Sequence, residues 1–377
     1  MKKKLTMNHE KKVRVMHVVQ SAGGVEQYLV MLLKYIDREK YENILVCSQD
    51  FHIDKFEGLV SHIIVIDMKR EIGLNDIIAL IEVRKEIREY KPDVVYAHSS
   101  KAGVITRLAD LGINNKSIYN SHGWAFNMRG LKVKKFFYII IEKVMSHFCD
   151  KIICISEAEK KSALKYRICS EEKLDVICNG IDIEEYKKSR SNKLTRMELG
   201  IPNDAIVIGT VGRLSEQKAP DVFIKVAVEM KKIIPNAYFI MVGDGNQKDE
   251  VLEYAKLNGI DNSLIITNWV DDPICYIRLF NVAVLLSRWE GFGLVLPEYM
   301  MCGVPIVATR VDAIPYIIKD HVNGLLVSVD SVDETCKAII EILNDEDLRT
   351  KLIEQGQKIA VDQYDIRRVV KEYSKLF

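Results

Sequence analysis

No C-x-x-C pair occurs in the sequence: the eight cysteines are scattered at 47, 149, 154, 169, 178, 275, 302 and 336, and no Cys/His spacing suits zinc. A structural zinc site is excluded on that ground, and the thiols are expected to be reduced in a cytosolic setting. Long apolar runs are missing too. The longest, FFYIII at 136–141, falls well short of the roughly 18 continuous apolar residues of a membrane span. The Lys-rich start leads into KKVRVMHVVQ and not into an apolar signal core, so no targeting segment is expected. No low-complexity tract or short repeat appears, which sets repeat architectures aside.

An excess of either charge is also absent, with a net charge of only +1 over 377 residues. The balance is uneven along the chain: 30 Lys and Arg stand against 23 Asp and Glu in residues 1–180, and 24 against 30 in residues 181–377. A basic front half suits an anionic surface, and ordinary surface variation would give the same imbalance. Lipid is the anionic partner carried forward, and no nucleic acid is expected. What the chain has in quantity is hydrophobic residues, 48%, enough for two cores at this length.

Short β-branched runs alternate with amphipathic stretches from residue 13 onward, the pattern of a parallel sheet covered by helices. In the first half the runs are VRVMHVVQ, NILVCSQ, HIIVIDM, DVVYAHSS, SIYNSH and KIICIS, with helices expected over 74–90, 101–112, 132–148 and 157–166. A polar stretch at 178–205 reads as a linker. The alternation then restarts with IVIGTVGRL, AYFIMVGDG, LIITNWV, VAVLLS, PIVATR and GLLVSV, and three helices close the chain. The fold class is therefore α/β, with two Rossmann-like, doubly wound parallel-sheet domains over 1–180 and 181–360. A final helix in 361–377 is expected to pack back on the first domain. Two such halves leave a cleft between them, and ligands bind beyond the carboxyl ends of the strands, so function belongs in the strand-to-helix loops.

Three loops carry chemistry. In SAGGVEQYL, at 21–29, Gly23 and Gly24 let the backbone approach a ligand, and the following helix offers its positive end to an anion. A tight turn alone would use the same glycines, and this is not a G-x-G-x-x-G fingerprint. In TVGRLSEQKAP, at 210–220, Arg213 and Lys218 precede a helix whose first turn takes Pro220. Two cations beside a dipole end suit a diphosphate, although loop cations are also often just solvated. In SRWEGFGLVLPEYMMCGVP, at 287–305, Glu290 stands at a strand's carboxyl edge, Gly291 and Gly293 free the turn, and a helix over about 294–302 carries Glu298. The N–H groups of Phe292, Gly293 and Leu294 invite phosphate, and Glu298 can accept from a vicinal diol. A helix with Glu in its first turn would explain Glu298 but not the Gly-rich turn bearing Glu290.

EGFGLVLPE, with its two glutamates, and GRLSEQK, with Arg213 and Lys218, resemble the donor-site signature of family 4 retaining glycosyltransferases of the GT-B fold. GGVE at 23–26, NGID at 179–182, VGDG at 242–245 and NGLLV at 323–327 extend the resemblance over nearly the whole chain, and AHSSKAGVITRLAD followed by SHGWAF resembles members that build capsular or exopolysaccharide repeat units. The resemblance implies that Glu298 holds the nucleotide ribose, that Glu290 contacts donor-sugar hydroxyls, and that Arg213 and Lys218 stabilise the leaving diphosphate. It implies that His122 lies against the donor sugar and that the Gly23–Gly24 loop touches diphosphate or acceptor. Ala219 and Asp312 stand where the family pattern more usually has Gly, and Tyr316 where it has Glu.

Breaking the anomeric C–O bond builds negative charge on the diphosphate, which fixed cations and N–H groups stabilise. No D-x-D follows an apolar strand, and DED at 345–347 reads as a helix cap. Arg213, Lys218 and the Gly293 turn are thus expected to replace a divalent metal, with no metal or other cofactor required. Retention by front-face attack is implied by the resemblance alone. Glu26 and His98 are acceptor-side candidates, His98 also having a purely structural reading. The helix over 132–148 sets Lys132, Lys134, Lys135 and Lys143 beside Phe and Ile, which suits either an anionic membrane or a half-buried helix with snorkelling lysines. The expected partners are a nucleotide sugar, UDP before GDP, and a polyprenyl-diphosphate-linked saccharide, the enzyme working in the cytoplasm or on the inner face of the membrane. Two other readings share the architecture: a UDP-sugar 2-epimerase and a non-catalytic sugar-nucleotide binder.

Overall fold

The computed structural model describes residues 11–20, 22–69, 73–128, 130–188 and 194–377. Ser21, at the start of the first glycine loop, and 189–193, inside the expected linker, lie outside them. The chain divides into two compact units. The first takes in the described residues up to Ile155, then Lys160–Ile177 and Val369–Phe377; the second takes in Ser156–Glu159 and the described residues of Cys178–Arg368.

The first unit holds a seven-stranded parallel sheet of β1 (Val13–Val19), β2 (Tyr41–Cys47), β3 (His62–Val65), β4 (Val94–His98), β5 (Lys116–Asn120), β6 (Lys151–Cys154) and β7 (Leu174–Val176), in the order β3-β2-β1-β4-β5-β6-β7. The second has six parallel strands, β8 (Ile206–Val211), β9 (Ala237–Val242), β10 (Leu264–Ile266), β11 (Val282–Leu285), β12 (Ile306–Thr309) and β13 (Leu325–Val327), in the order β10-β9-β8-β11-β12-β13. Burial on both faces explains why the central strands read as unbroken apolar runs: every residue of β4 and β11 is buried. Strand order reverses beside β1 in one sheet and beside β8 in the other, the switch point at which open α/β sheets bind ligands. The loops after β1 and β4 meet at the first switch point, and those after β8 and β11 at the second.

Two details depart from the sequence reading. β7 went unread because it has only three residues with Asp175 in the middle. The stretch expected as a linker is, in its first part, built into the second unit. Ile181 pairs with Asp365, and Ile181, Ile183 and Tyr186 form a buried cluster with Ile274. The acidic triplet does cap a helix, Asp345 accepting from the Leu348 N–H at 2.8 Å.

Candidate active site

In the second unit the loops after β8 and β11 are stitched together. The Arg288 N–H donates to the Gln217 carbonyl at 2.8 Å, and the Gln217 amide donates to the Trp289 carbonyl at 3.1 Å. The Arg288 guanidinium binds Asp221 at 2.7 Å and Asp330 at 2.6 Å. This lacing brings Lys218 onto Glu290, whose buried carboxylate also accepts from the Ser287 hydroxyl at 3.0 Å. Arg213, on the same loop, is exposed and makes no side-chain hydrogen bond or ion pair among the described residues.

VGDG acquires a physical reason here. A Cβ at Gly243 would lie 2.2 Å from the Gly212 carbonyl oxygen, and one at Gly245 would lie 2.2 Å from that of Leu214. The two glycines therefore admit the backbone that carries Arg213. Ala219 (φ 51°) and Asp312 (φ 42°), where Gly is more usual, both adopt left-handed backbone. Asp312 uses its side chain there to accept from the Glu290 N–H at 3.0 Å. The left-handed region explains the family's preference for glycine at both places.

Gly291 accepts from the Ser156 hydroxyl at 3.0 Å, and Gly293 turns the chain at φ 84°. Phe292 points inward, edge-on to Tyr364, and Leu294 packs against the Ile181 cluster. The N–H groups of Phe292, Gly293 and Leu294 make no hydrogen bond among the described residues. The helix after the turn, Val295–Met301, is held under the sheet by the Tyr299 hydroxyl, which accepts from the Val211 N–H at 2.8 Å. Glu298 lies half-buried in its first turn. Burial pushes its carboxyl up to about 7, a hydrogen bond from the Tyr186 hydroxyl works against that, and the Glu185 charge adds to it. Tyr186 was invisible as a site residue, because only the packing of 181–186 brings it there.

In the first unit, Gly23 (φ 99°) caps the helix Gly24–Tyr35, and a Cβ on Gly24 would meet nothing within 4 Å among the described residues. Glu26 is turned inward. Its carboxylate accepts from the His52 N–H at 2.7 Å and pairs with Lys55 at 3.7 Å, which ties the helix to the segment after β2. His122 has a left-handed backbone, φ 51°, held by the Asn120 side-chain oxygen at 2.8 Å. Its Nε2 lies 2.9 Å from His98 Nδ1. His98, with no exposed surface, has its other nitrogen 3.3 Å from His17 Nδ1, so its ring offers no free nitrogen to an acceptor. Burial holds His17 down at about 4 and His122 at about 3, and His98 well below its ordinary value. Among the described residues no group of three or more His, Cys, Asp or Glu is placed to hold a metal ion.

The model for glycosyl transferases group 1 matches residues 191–359, and that for glycosyltransferase family 4 matches residues 22–185. An Escherichia coli UDP-Gal:alpha-D-GlcNAc-diphosphoundecaprenol alpha-1,3-galactosyltransferase is 26% identical over 96% of this chain and 95% of its own. The Staphylococcus aureus capsular polysaccharide biosynthesis glycosyltransferase CapM is 25% identical over 92% of each chain. The Anabaena protein HepE, solved in complex with UDP, superposes with a TM-score of 0.80 at 22% identity over 97% of this chain and 99% of its own. The chain belongs to the group 1 and family 4 glycosyltransferases, and its two parallel-sheet units are those of the GT-B fold. Of the readings left open by the sequence, glycosyl transfer is the one this membership carries.

Proposed function

We propose that the protein moves a sugar from a UDP-sugar to a polyprenyl-diphosphate-linked saccharide during bacterial cell-surface polysaccharide assembly. The observation that carries this reading is the constellation at the second unit's switch point: exposed Arg213, the Lys218–Glu290 pair, the unbonded N–H groups after Gly291, and Glu298 deeper in the turn. The cations and N–H groups meet the charge that grows on a leaving diphosphate without recourse to a metal. Glu298 accepts from the ribose diol, Glu290 orients the donor sugar through the charge it shares with Lys218, and His122 binds a sugar hydroxyl. UDP is bound by the structural neighbour HepE, and the E. coli relative acts on a diphosphoundecaprenol-linked sugar. The test is thermal stabilisation of wild type and Glu298→Ala by UDP-, GDP- and ADP-sugars. UDP-sugars should raise the wild-type Tm and leave the variant unmoved. A shift by GDP-sugars alone would replace the donor, and equal shifts in both proteins would remove the clamp role of Glu298.

The acceptor's lipid suits a membrane-facing surface on the first unit. No helix among the described residues is long and apolar enough to cross a membrane. The helix Lys132–Met145, however, leaves Val133, Phe136 and Phe137 exposed by 79, 65 and 56% beside Lys132, Lys134 and Lys135, while burying Glu142 and Met145. Such a face lies on an anionic bilayer by apolar contact and charge together. Sedimentation with vesicles rich in anionic lipid should pellet the wild type at low salt and leave Phe136→Ser/Phe137→Ser in solution. Equal recovery of both proteins in the supernatant would discard this surface.

A further inference from the structure

Three histidines of the first unit, from β1, β4 and the loop after β5, form a continuous chain beneath the switch point. Asn43 Oδ1 lies 3.2 Å from His17 Nε2, His17 Nδ1 lies 3.3 Å from His98 Nε2, and His98 Nδ1 lies 2.9 Å from His122 Nε2. His17 and His98 have no exposed surface, and aromatic rings surround them: Tyr96 lies 4.0 Å from the His98 centroid, and Phe377 stands edge-on to His17. The surroundings keep all three rings neutral at pH 7.

A neutral imidazole has one N–H and one lone pair, so each N···N contact needs one donor and one acceptor. A chain of three such rings therefore has only two internally consistent polarities, and its fixed end selects between them. Asn43 is that end: its side-chain oxygen faces His17. An acceptor there requires His17 to carry its proton on Nε2, His98 to donate from Nε2 to His17, and His122 to donate from Nε2 to His98. At the other end, Asn120 fixes the His122 backbone while donating to the Tyr96 hydroxyl at 3.2 Å. The one ring nitrogen of His122 left without a partner among the described residues is Nδ1.

We propose that Asn43, His17 and His98 are positioning residues that lock His122 in its Nε2–H tautomer, so that Nδ1 meets the ligand only as a hydrogen-bond acceptor. With the donor reading given above, on which this last clause rests, the group recognised is a donor-sugar hydroxyl that must act as donor. The relay gives a reason for burying two histidines where ordinary apolar residues would pack. It also confines His98 to acting through His122.

The test reads the tautomer directly. Two-bond ring ¹H–¹⁵N spectra of the full chain labelled at its eight histidines, with His122 assigned by the signal lost in His122→Gln, should show one Nε2–H form for His122 at pH 7. His17→Phe keeps a ring in the core and ends the chain, and Asn43→Leu removes the fixed acceptor; the second serves if the first does not fold. Either should turn His122 into a mixture of tautomers. In the transfer assay each should lower kcat/KM for the donor by up to about tenfold, the worth of one hydrogen bond. An Nδ1–H His122 in wild type, or an unchanged tautomer in both variants, overturns the relay. An unchanged kcat/KM in a variant whose tautomers have become mixed overturns the role given to Nδ1. Failure of the donor reading shows separately, as the absence of any nucleotide-sugar thermal shift in wild type.

Discussion

Glu298 poses a proton question that its sequence spacing could not. Burial raises its carboxyl to about 7, whereas the role proposed for it, accepting from a diol, calls for the ionised form. Below pH 7 the competent fraction shrinks, so donor affinity should fall about fivefold between pH 7 and pH 6. Calorimetric titration with the UDP-sugar across this range checks the slope, and Glu298→Gln should bind more weakly but with a flat profile. Glu290, Glu298, Arg213 and Lys218 were legible because Gly-rich turns after apolar runs announce where a parallel sheet presents its loops. Tyr186 and Arg288 were not, because each acts on a partner that only the tertiary fold selects: Glu298 for Tyr186, and Gln217 and Asp221 for Arg288. The histidine relay was equally hidden, its members lying 81 and 24 positions apart.

The loop after β8 depends on an element distant in sequence, the turn after β9. Gly245 has no positive φ, yet a methyl there would sit 2.2 Å from the Leu214 carbonyl oxygen. Gly245→Ala is thus a steric test free of backbone preference. It should cost about 1–3 kcal/mol by overpacking, seen as a lower Tm. Because the displaced backbone bears Arg213, donor KM should rise while circular dichroism at low temperature is unchanged. Unaltered Tm and KM would show that the loop yields freely. VGDG was readable as a pattern, but its reason was not, since close approach between two backbones leaves no mark in periodicity. The same holds for 178–188, whose polar composition concealed three inward-facing apolar side chains.

Across the molecule the two units should answer acid in opposite senses. Unfolded chains protonate histidine from pH 6.5 downward, while folded His17 resists until about 4 and His122 until about 3, so stability of the first unit is lost as pH falls through that window. From pH 7 to pH 5 His17 alone should cost about 2 kcal/mol, with His98 acting in the same direction. Glu298 does the reverse: its raised folded value makes the second unit gain about 1–2 kcal/mol over the same interval, after allowance for partial exposure. Calorimetry at pH 7 and pH 5, with the fluorescence of buried Trp124 marking the first unit in a Trp269→Phe/Trp289→Phe background, should show its transition move down while that of the second rises. In Glu298→Gln the rise should vanish.

The path of the chain adds a consequence in time. Tyr373 is fully buried among Tyr28 and Tyr96, and Lys116 donates to the Leu376 carbonyl, so the first unit is completed by residues that follow the whole of the second. On a ribosome moving at about 5–20 residues per second, the first sheet must wait roughly ten to forty seconds with its aromatic pocket open. That interval is a window in which a chaperone, or nothing, guards the newborn protein.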